Sequence, residues 1–206
     1  MNPVDRRIHD RCMRVAGLRL AFVESARAVR TALATLWLLV ASIAFTASAA
    51  DSSLPDWYLR ELAQLTQGTG RWVADNGEYK SNEEPYEAYG VDWTMAPDKR
   101  GMTGRLFGLQ GGKRVAEFWH FRIYWDAKER QAIVQQFADF GVIGQGAFSG
   151  FDRATLMDQT FTAPDGMQWR ELHHAWFEGS THVTRSFEWR DGAWVAKRTY
   201  RWSLDP

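Results

Sequence analysis

The chain has one cysteine, Cys12, among its 206 residues. It lies within the first 50 residues, which we assign below to a cleaved leader, so we expect the mature chain to contain no thiol. This excludes a disulfide scaffold, and it excludes zinc ribbons and iron–sulfur clusters because both need cysteine ligands. A cysteine nucleophile is excluded as well, and the sequence has no Gly-x-Ser-x-Gly motif of the hydrolase type.

The mature chain also has no excess of positive charge. Residues 1–50 contain seven of the 25 Lys and Arg residues and three of the 25 Asp and Glu residues. Residues 51–206 therefore keep 18 basic and 22 acidic residues, a net charge of −4 with histidine neutral. Nucleic acid is bound by clustered basic side chains, so this mixed, mildly acidic composition argues against a nucleic-acid partner.

The sequence contains a short uncharged apolar run, "ALATLWLLVASIAF", at residues 32–45. Arg27 and Arg30 precede this run, and the small residues "TASAA" (46–50) follow it. The run is shorter than the ~20 residues that a membrane-spanning helix needs. Basic residues, a short apolar stretch and an Ala-x-Ala site together predict a secretory signal peptide, with an uncleaved anchor as the alternative.

We expect cleavage after Ala49 or Ala50, and translation to begin at Met1 or Met13. Residues 1–50 are thus predicted to be an N-terminal extension and signal peptide that is removed. The mature protein would then be periplasmic or secreted in a bacterium, with no stable membrane anchor after cleavage.

A single segment after the leader has a helical pattern. In residues 54–65, apolar side chains recur at helical spacing: Trp57, Leu59, Leu62, Ala63 and Leu65. Gly68 and Gly70 follow and end the helix.

From Gly70 onward, aromatic and β-branched segments alternate with Gly, Asp-Gly and Pro-Asp-Gly turns. This pattern predicts an all-β, antiparallel up-and-down meander after the short N-terminal helix. One short helix cannot cover an aromatic sheet face, so we expect the sheet to close into a barrel wide enough for one small ligand. A strongly curved, half-open sheet is the alternative.

The last hairpin sets the predicted register. "WRDGAW" places Asp191-Gly192 in a two-residue type I′ turn. This turn pairs residues that share one strand face: Trp189 with Trp194, Phe187 with Ala196, Arg185 with Arg198, and Val183 with Tyr200. That face is largely aromatic and the opposite face is largely polar.

Two earlier turns extend this register. A two-residue loop at Gly179-Ser180 pairs Trp176 with Val183 and His174 with Arg185. A two-residue loop at Asp165-Gly166 then completes a lateral row across one face: Met157, His174, Arg185 and Arg198. A three-residue loop with a bulge there would reverse the facing of Met157.

We expect the aromatic face to line the barrel interior. The predicted ligand-binding residues on it are His174, Arg185, Arg198, Tyr200, Trp176, Phe187, Trp189 and Trp194. Interior arginines need anionic partners, which are either inward acidic side chains or the carboxylate or phosphate head group of a ligand. A structural alternative has Arg198 stacked on Trp72 or Trp194.

The adjacent histidines His173 and His174 point to opposite strand faces and do not form a metal pair. We predict no metal site, and we place His120 on the surface.

Several short motifs resemble a known family. "GRW" (70–72), which opens the first strand after a short helix, resembles the Gly-x-Trp of lipocalin-like, or calycin, barrels. "YRW" on the last strand, with Arg198 nearby, resembles the calycin arginine that packs over that tryptophan. The segment "RIYWDAKERQAIVQQFADFGVIGQGAFSGFD" resembles uncharacterised bacterial secreted members of this class. The resemblance implies that residues 51–206 form a single calycin-like β-barrel, with Gly70 and Trp72 as the fold signature. It also implies that the barrel binds small, often apolar molecules, as members of this class do.

The function predicted from the sequence is binding of a small apolar or amphipathic molecule with a possible acidic head group. No cofactor is predicted, although some calycin-like barrels hold haem through one histidine. Two alternatives remain open. One is an enzyme that uses the cavity with His174 as general acid or base. The other is a structural or interaction barrel filled by its own tryptophans.

Overall fold

The structure is a computed structural model that describes residues 54–205, so the predicted signal peptide lies outside the described residues. One helix, α1 (Asp56–Leu65), precedes the strands. Ten antiparallel strands follow and form a closed barrel in chain order. They are β1 (Arg71–Asp75), β2 (Ala88–Met95), β3 (Gly101–Gln110), β4 (Lys113–Asp126), β5 (Gln131–Ala138), β6 (Ile143–Phe151), β7 (Ala154–Thr162), β8 (Gln168–Glu178), β9 (Thr181–Arg190) and β10 (Ala193–Leu204). The predicted all-β barrel with a short N-terminal helix is confirmed.

The barrel closes where β1 pairs with β10, at Trp72↔Leu204 and Val73↔Ser203. Every other strand pairs with its neighbours in the chain. Closure gives every strand a neighbour on each side, which satisfies backbone groups that a half-open sheet would expose. No helix within residues 54–205 is long and apolar enough to cross a lipid bilayer.

Helix α1 closes one end of the barrel, which we call the helix end. The apolar face of α1 is fully buried through Tyr58, Leu62 and Leu65. The Tyr58 hydroxyl donates to the carbonyl of Arg100 at 3.0 Å, and the buried Trp72 indole N–H donates to the carbonyl of Leu65 at 2.8 Å. These bonds tie the helix to the β2–β3 loop and to β1.

The opposite end of the barrel, which we call the open end, carries the loops β1–β2, β3–β4, β5–β6, β7–β8 and β9–β10. The β5–β6 loop contains Phe140, which is 64% exposed. The longest of these loops joins β1 to β2 and spans residues 76–87.

The last hairpin follows the predicted turn. Asp191 and Gly192 have φ angles of 50° and 81°, as a type I′ turn requires. The predicted pairs Trp189↔Trp194 and Phe187↔Ala196 are confirmed.

The predicted register is wrong beyond Ala196 because β10 contains a bulge between Ala196 and Thr199. One extra residue on one strand shifts all later pairs and exchanges the two faces of that strand. Arg185 therefore pairs with Thr199 instead of Arg198, and Val183 pairs with Arg201 instead of Tyr200.

Of the two earlier turns predicted from the sequence, one is confirmed and the other is wrong. The two-residue loop at Gly179-Ser180 is confirmed, with Trp176↔Val183 and His174↔Arg185 paired. The two-residue loop at Asp165-Gly166 is wrong, because Ala163 N–H bonds to the carbonyl of Met167 at 2.9 Å and encloses three residues. Met157 consequently pairs with His173.

A candidate ligand cavity inside the barrel

A cavity of about 510 Å³ occupies the barrel interior. Its wall is largely aromatic and aliphatic, and the apolar side chains on it include Tyr86, Tyr89, Val91, Trp93, Leu106, Phe118, Trp119, Phe121, Met157, Phe161, Trp169 and Trp202. Glu61 and Leu65 of α1 line it at the helix end, whereas Phe140 and Glu83 line it at the open end. The exposure of Phe140 marks the rim through which a ligand could enter.

The structure divides the eight residues predicted to bind a ligand into two groups. Arg198 and Tyr200 line the cavity, as expected. The other six lie on the outer face of their strands: His174, Arg185, Trp176, Phe187, Trp189 and Trp194. The cavity is lined instead by their neighbours, such as His173 and Ala175 on β8 and Ser186 on β9, and adjacent strand residues point to opposite faces.

The predicted lateral row is therefore half right. Its two ends, Met157 and Arg198, do line the cavity. The residues between them are His173 and Ser186, because Met157 pairs with His173 and His173 pairs with Ser186. The Ser186 hydroxyl also accepts a hydrogen bond from the backbone N–H of Arg198 at 3.3 Å.

The outer aromatic face is covered by arginines, which explains why it can face water. The guanidinium carbon of Arg170 lies 5.8 Å from the ring centre of Trp189 and 5.3 Å from that of Trp194. Arg185 lies 5.3 Å from the ring of Phe187 in the same way. Cation–π contact and the aliphatic stems of arginine shield aromatic rings from solvent.

Arg198 obtains its anionic partner from the protein itself. Both terminal nitrogens of its guanidinium donate to the carboxylate of Glu84, with Nη2 to Oε2 at 2.6 Å. The Glu84 carboxylate also accepts from the Tyr89 hydroxyl, and the ring of Tyr79 lies 5.3 Å from the guanidinium carbon. The hydrogen bond from Arg198 lowers the pKa of Glu84. Of the two partners expected for an interior arginine, an acidic side chain or a ligand head group, Arg198 has the acidic side chain of Glu84.

The β1–β2 loop is fixed by this pair and by a second hydrogen-bonded contact. The Tyr200 hydroxyl donates to Asn76 Oδ1 at 2.9 Å, and Asn76 Nδ2 donates to the carbonyl of Tyr86 at 3.1 Å. Sequence reasoning missed Glu84 and Tyr86 because they belong to a polar loop. Two features of the sequence could have indicated Glu84: an interior Arg198 needs an anionic partner, and the loop contains adjacent acidic residues in "NEEP".

A second charged group lies on the wall formed by β8. Glu171 accepts from Lys197 at 3.3 Å, from the Trp169 indole N–H at 3.2 Å, and lies 3.4 Å from His173 Nε2. Burial alone would raise the pKa of Glu171, but His173 and Lys197 outweigh it and lower that pKa to about 2. This carboxylate is therefore ionised and already paired.

The floor of the cavity, at the helix end, contains two further titratable groups, Glu61 and His182. The Thr155 hydroxyl donates to Glu61 Oε1 at 3.3 Å, and burial raises the pKa of Glu61 to about 7. His182 is 7% exposed, and burial lowers its pKa to about 4. Thr155 and His182 lie at the same end of the barrel, because β7 and β9 each begin there. Glu61 lies at this end because it is bonded to Thr155. Neither Glu61 nor His182 was identified as a site residue from the sequence, in which Glu61 is one of two carboxylates in the helix.

Within residues 54–205, no cluster of three or more His, Cys, Asp or Glu side chains is arranged to hold a metal ion. His120 is on the surface, 3.0 Å from Glu117, as predicted. His174 faces away from the cavity, so an enclosed haem held by this residue does not fit the barrel.

Comparison of the chain with protein-family models and with curated proteins finds no match. The described residues form a closed ten-stranded antiparallel barrel with an internal cavity, which is consistent with a calycin-like fold.

The signature residues of the resemblance are only partly reproduced. Gly70 has a φ of +69°, and a Cβ there would lie 2.1 Å from the carbonyl oxygen of Trp93. Trp72 is fully buried. The expected arginine over Trp72 is replaced by the rings of Phe177 and His182, whose centres lie 5.9 and 6.0 Å away. Arg198 stacks on neither Trp72 nor Trp194 in the described chain.

The raised pKa of Glu61 gives a prediction for stability. Unfolded Glu61 ionises near its ordinary pKa of 4.5, whereas folded Glu61 keeps its proton up to about 7. Stability is therefore lost as pH rises between these two values. Glu61→Gln keeps the shape of the side chain but cannot ionise. The free energy of unfolding of the variant minus that of wild type should therefore increase by about 2 to 3 kcal/mol between pH 4.5 and pH 8.

Urea denaturation of both proteins at the two pH values measures this difference. Glu78→Gln in the exposed β1–β2 loop controls for the loss of one negative charge. A Glu61→Gln difference that stays constant with pH would show that Glu61 is not desolvated.

Proposed function

We propose that the barrel binds one small apolar or amphipathic molecule in its internal cavity. The observation that supports this most is the cavity of about 510 Å³ with its largely aromatic wall. Ligand sites in proteins are typically ~300–1,000 Å³, mostly apolar, with a few polar groups that orient the ligand. Glu61, Thr155 and His182 at the floor supply such groups here.

The arrangement gives less support to an acidic head group than the sequence suggested. Of the three predicted interior cations, His174 and Arg185 face outward, and Arg198 is neutralised by Glu84. A carboxylate ligand would have to displace Glu84 from a bidentate pair and would leave that side chain without its partner. A neutral or basic ligand meets no such cost.

The two alternative functions gain less support from the arrangement. General acid–base catalysis by His174 requires this side chain to line the cavity, and it lies on the outer face. A barrel filled by its own tryptophans requires a solid interior, whereas Trp176, Trp189 and Trp194 lie outside and leave the cavity open.

Filling the cavity tests the binding proposal. Ala175 is buried and lines the cavity wall, so Ala175→Leu should lower the affinity for the neutral apolar dye Nile red about ten-fold, because the added methyl groups occupy ligand space. Ala196→Leu, at an exposed position on the outer face of β10, is the matched control and should bind like wild type.

Dye fluorescence titrations of the three proteins measure these affinities, and circular dichroism confirms that each is folded. Equal affinity of the two variants would place the dye outside the barrel. No dye binding to any of the three would argue against a ligand-binding barrel.

We further propose that the protein is exported and acts in the periplasm or outside the cell. The support is the order of Arg27, Arg30, the apolar run 32–45 and the small residues before position 51. Intact-mass measurement of the protein recovered from a secreting bacterial host should show an N-terminus at Ala50 or Asp51. An uncleaved N-terminus would instead support the membrane-anchor alternative.

A further inference from the structure

The floor of the cavity carries a buried carboxylate that lacks a cationic partner. Glu61 is 8% exposed and accepts one hydrogen bond, from Thr155 at 3.3 Å. Its neighbour on α1, Arg60, donates to the carbonyl of Asp152 in the β6–β7 loop. Among residues 54–205, no Lys or Arg side chain forms an ion pair with Glu61. A buried carboxylate in this situation must either hold a proton or meet a cation from outside.

A second buried polar group without a partner among the described residues lies at the same floor. His182 lines the cavity and is 7% exposed, and its Nε2 has no hydrogen-bond partner within the described chain. Its ring packs against Phe177 at 4.8 Å and Trp72 at 6.0 Å between ring centres. Burial lowers the pKa of His182 to about 4, so at neutral pH the ring is uncharged and one nitrogen accepts a hydrogen bond.

The other charged groups on the cavity wall are satisfied or lie towards the open end. Arg198 is paired with Glu84, and Glu171 is paired with Lys197 and His173. Glu83 is exposed in the β1–β2 loop. Glu61 is therefore the buried charged group on the cavity wall that lacks a partner of opposite charge among the described residues.

We propose that the ligand is an amine whose ammonium group binds at this floor, against Glu61 and His182, while its apolar body fills the aromatic part of the cavity. This inference rests on the proposed binding function and adds the chemical class of the ligand. A primary ammonium has three donors and no acceptor, which matches a floor made of acceptors. An alcohol has one donor, and a carboxylate would place two negative charges together.

The surrounding rings support the same choice. Trp202 pairs directly with His182, and Trp93 lies on β2 close to its end at the helix end. Both line the cavity. Desolvated cations are stabilised over the faces of tryptophan rings, and the same rings give no comparable stabilisation to a carboxylate.

The proposal predicts a dependence on pH. The Thr155 hydroxyl and Arg60 act on Glu61 from β7 and from its own helix, and the pKa of Glu61 is about 7 before ligand binds. A ligand ammonium must replace the proton of Glu61, so the affinity for amines should rise as pH increases from 6 to 8. The ammonium itself stays charged over this range, since alkylamines titrate near ~10.

Isothermal titration calorimetry with three probes of similar size tests this inference. The probes are 2-(1-naphthyl)ethylamine, 2-(1-naphthyl)ethanol and 1-naphthylacetic acid, which share one aromatic body. At pH 8 the amine should bind wild-type protein about ten-fold or more tightly than the alcohol, and the acid should bind most weakly. Glu61→Gln should remove the preference for the amine and leave alcohol binding unchanged.

A matched control distinguishes the floor from the rim. Glu83→Gln removes a carboxylate at the open end and should leave the preference for the amine intact. Loss of the preference in Glu83→Gln but not in Glu61→Gln would overturn the placement at the floor. Equal binding of the three probes, or tightest binding of the acid, would overturn the amine inference while the binding function stands. No binding of any probe would count against the binding function itself.

Discussion

The cavity depends on one extra residue in strand β10. The bulge after Ala196 shifts the pairing with β9 by one position, and the strand exchanges its faces there. Arg198, Tyr200 and Trp202 consequently line the lumen. Without the bulge, Arg198 would face solvent, and Glu84 would lose the partner that fixes the β1–β2 loop at the open end. A local backbone irregularity therefore sets both the polarity of this wall and the shape of the entrance.

Polar and aromatic side chains are distributed unevenly around the barrel. On β8–β10 much of the aromatic surface lies outside, where Arg170 and Arg185 cover it. The inner face of these strands carries paired charges such as Glu171. The opposite wall, formed by β2–β5, supplies five of the rings that line the cavity: Tyr89, Trp93, Phe118, Trp119 and Phe121. One side of the lumen is thus suited to an apolar body and the other side, together with the floor, to a polar group.

Sequence reasoning predicted the helix, the strands and the type I′ turn, because period-two alternation and the Asp191-Gly192 signal are local. It failed at β10 and at the Pro164–Gly166 loop, where a single extra residue is decided by distant contacts. It also assumed that the more aromatic face of the last hairpin is the inner one. Glu61 and Glu84 were missed because helix and loop carboxylates become special only when the folded barrel buries or pairs them.

The inward orientation of Ser186 and the outward orientation of Arg185 are tested most directly by thiol labelling. Arg185→Cys and Ser186→Cys are each made in a Cys12→Ser background, which leaves one thiol per protein. A bulky maleimide should label the protein rapidly at position 185, which is exposed, and slowly at position 186, which faces the lumen. Equal or faster labelling at position 186 would contradict the inward orientation of Ser186 and the cavity wall built on it.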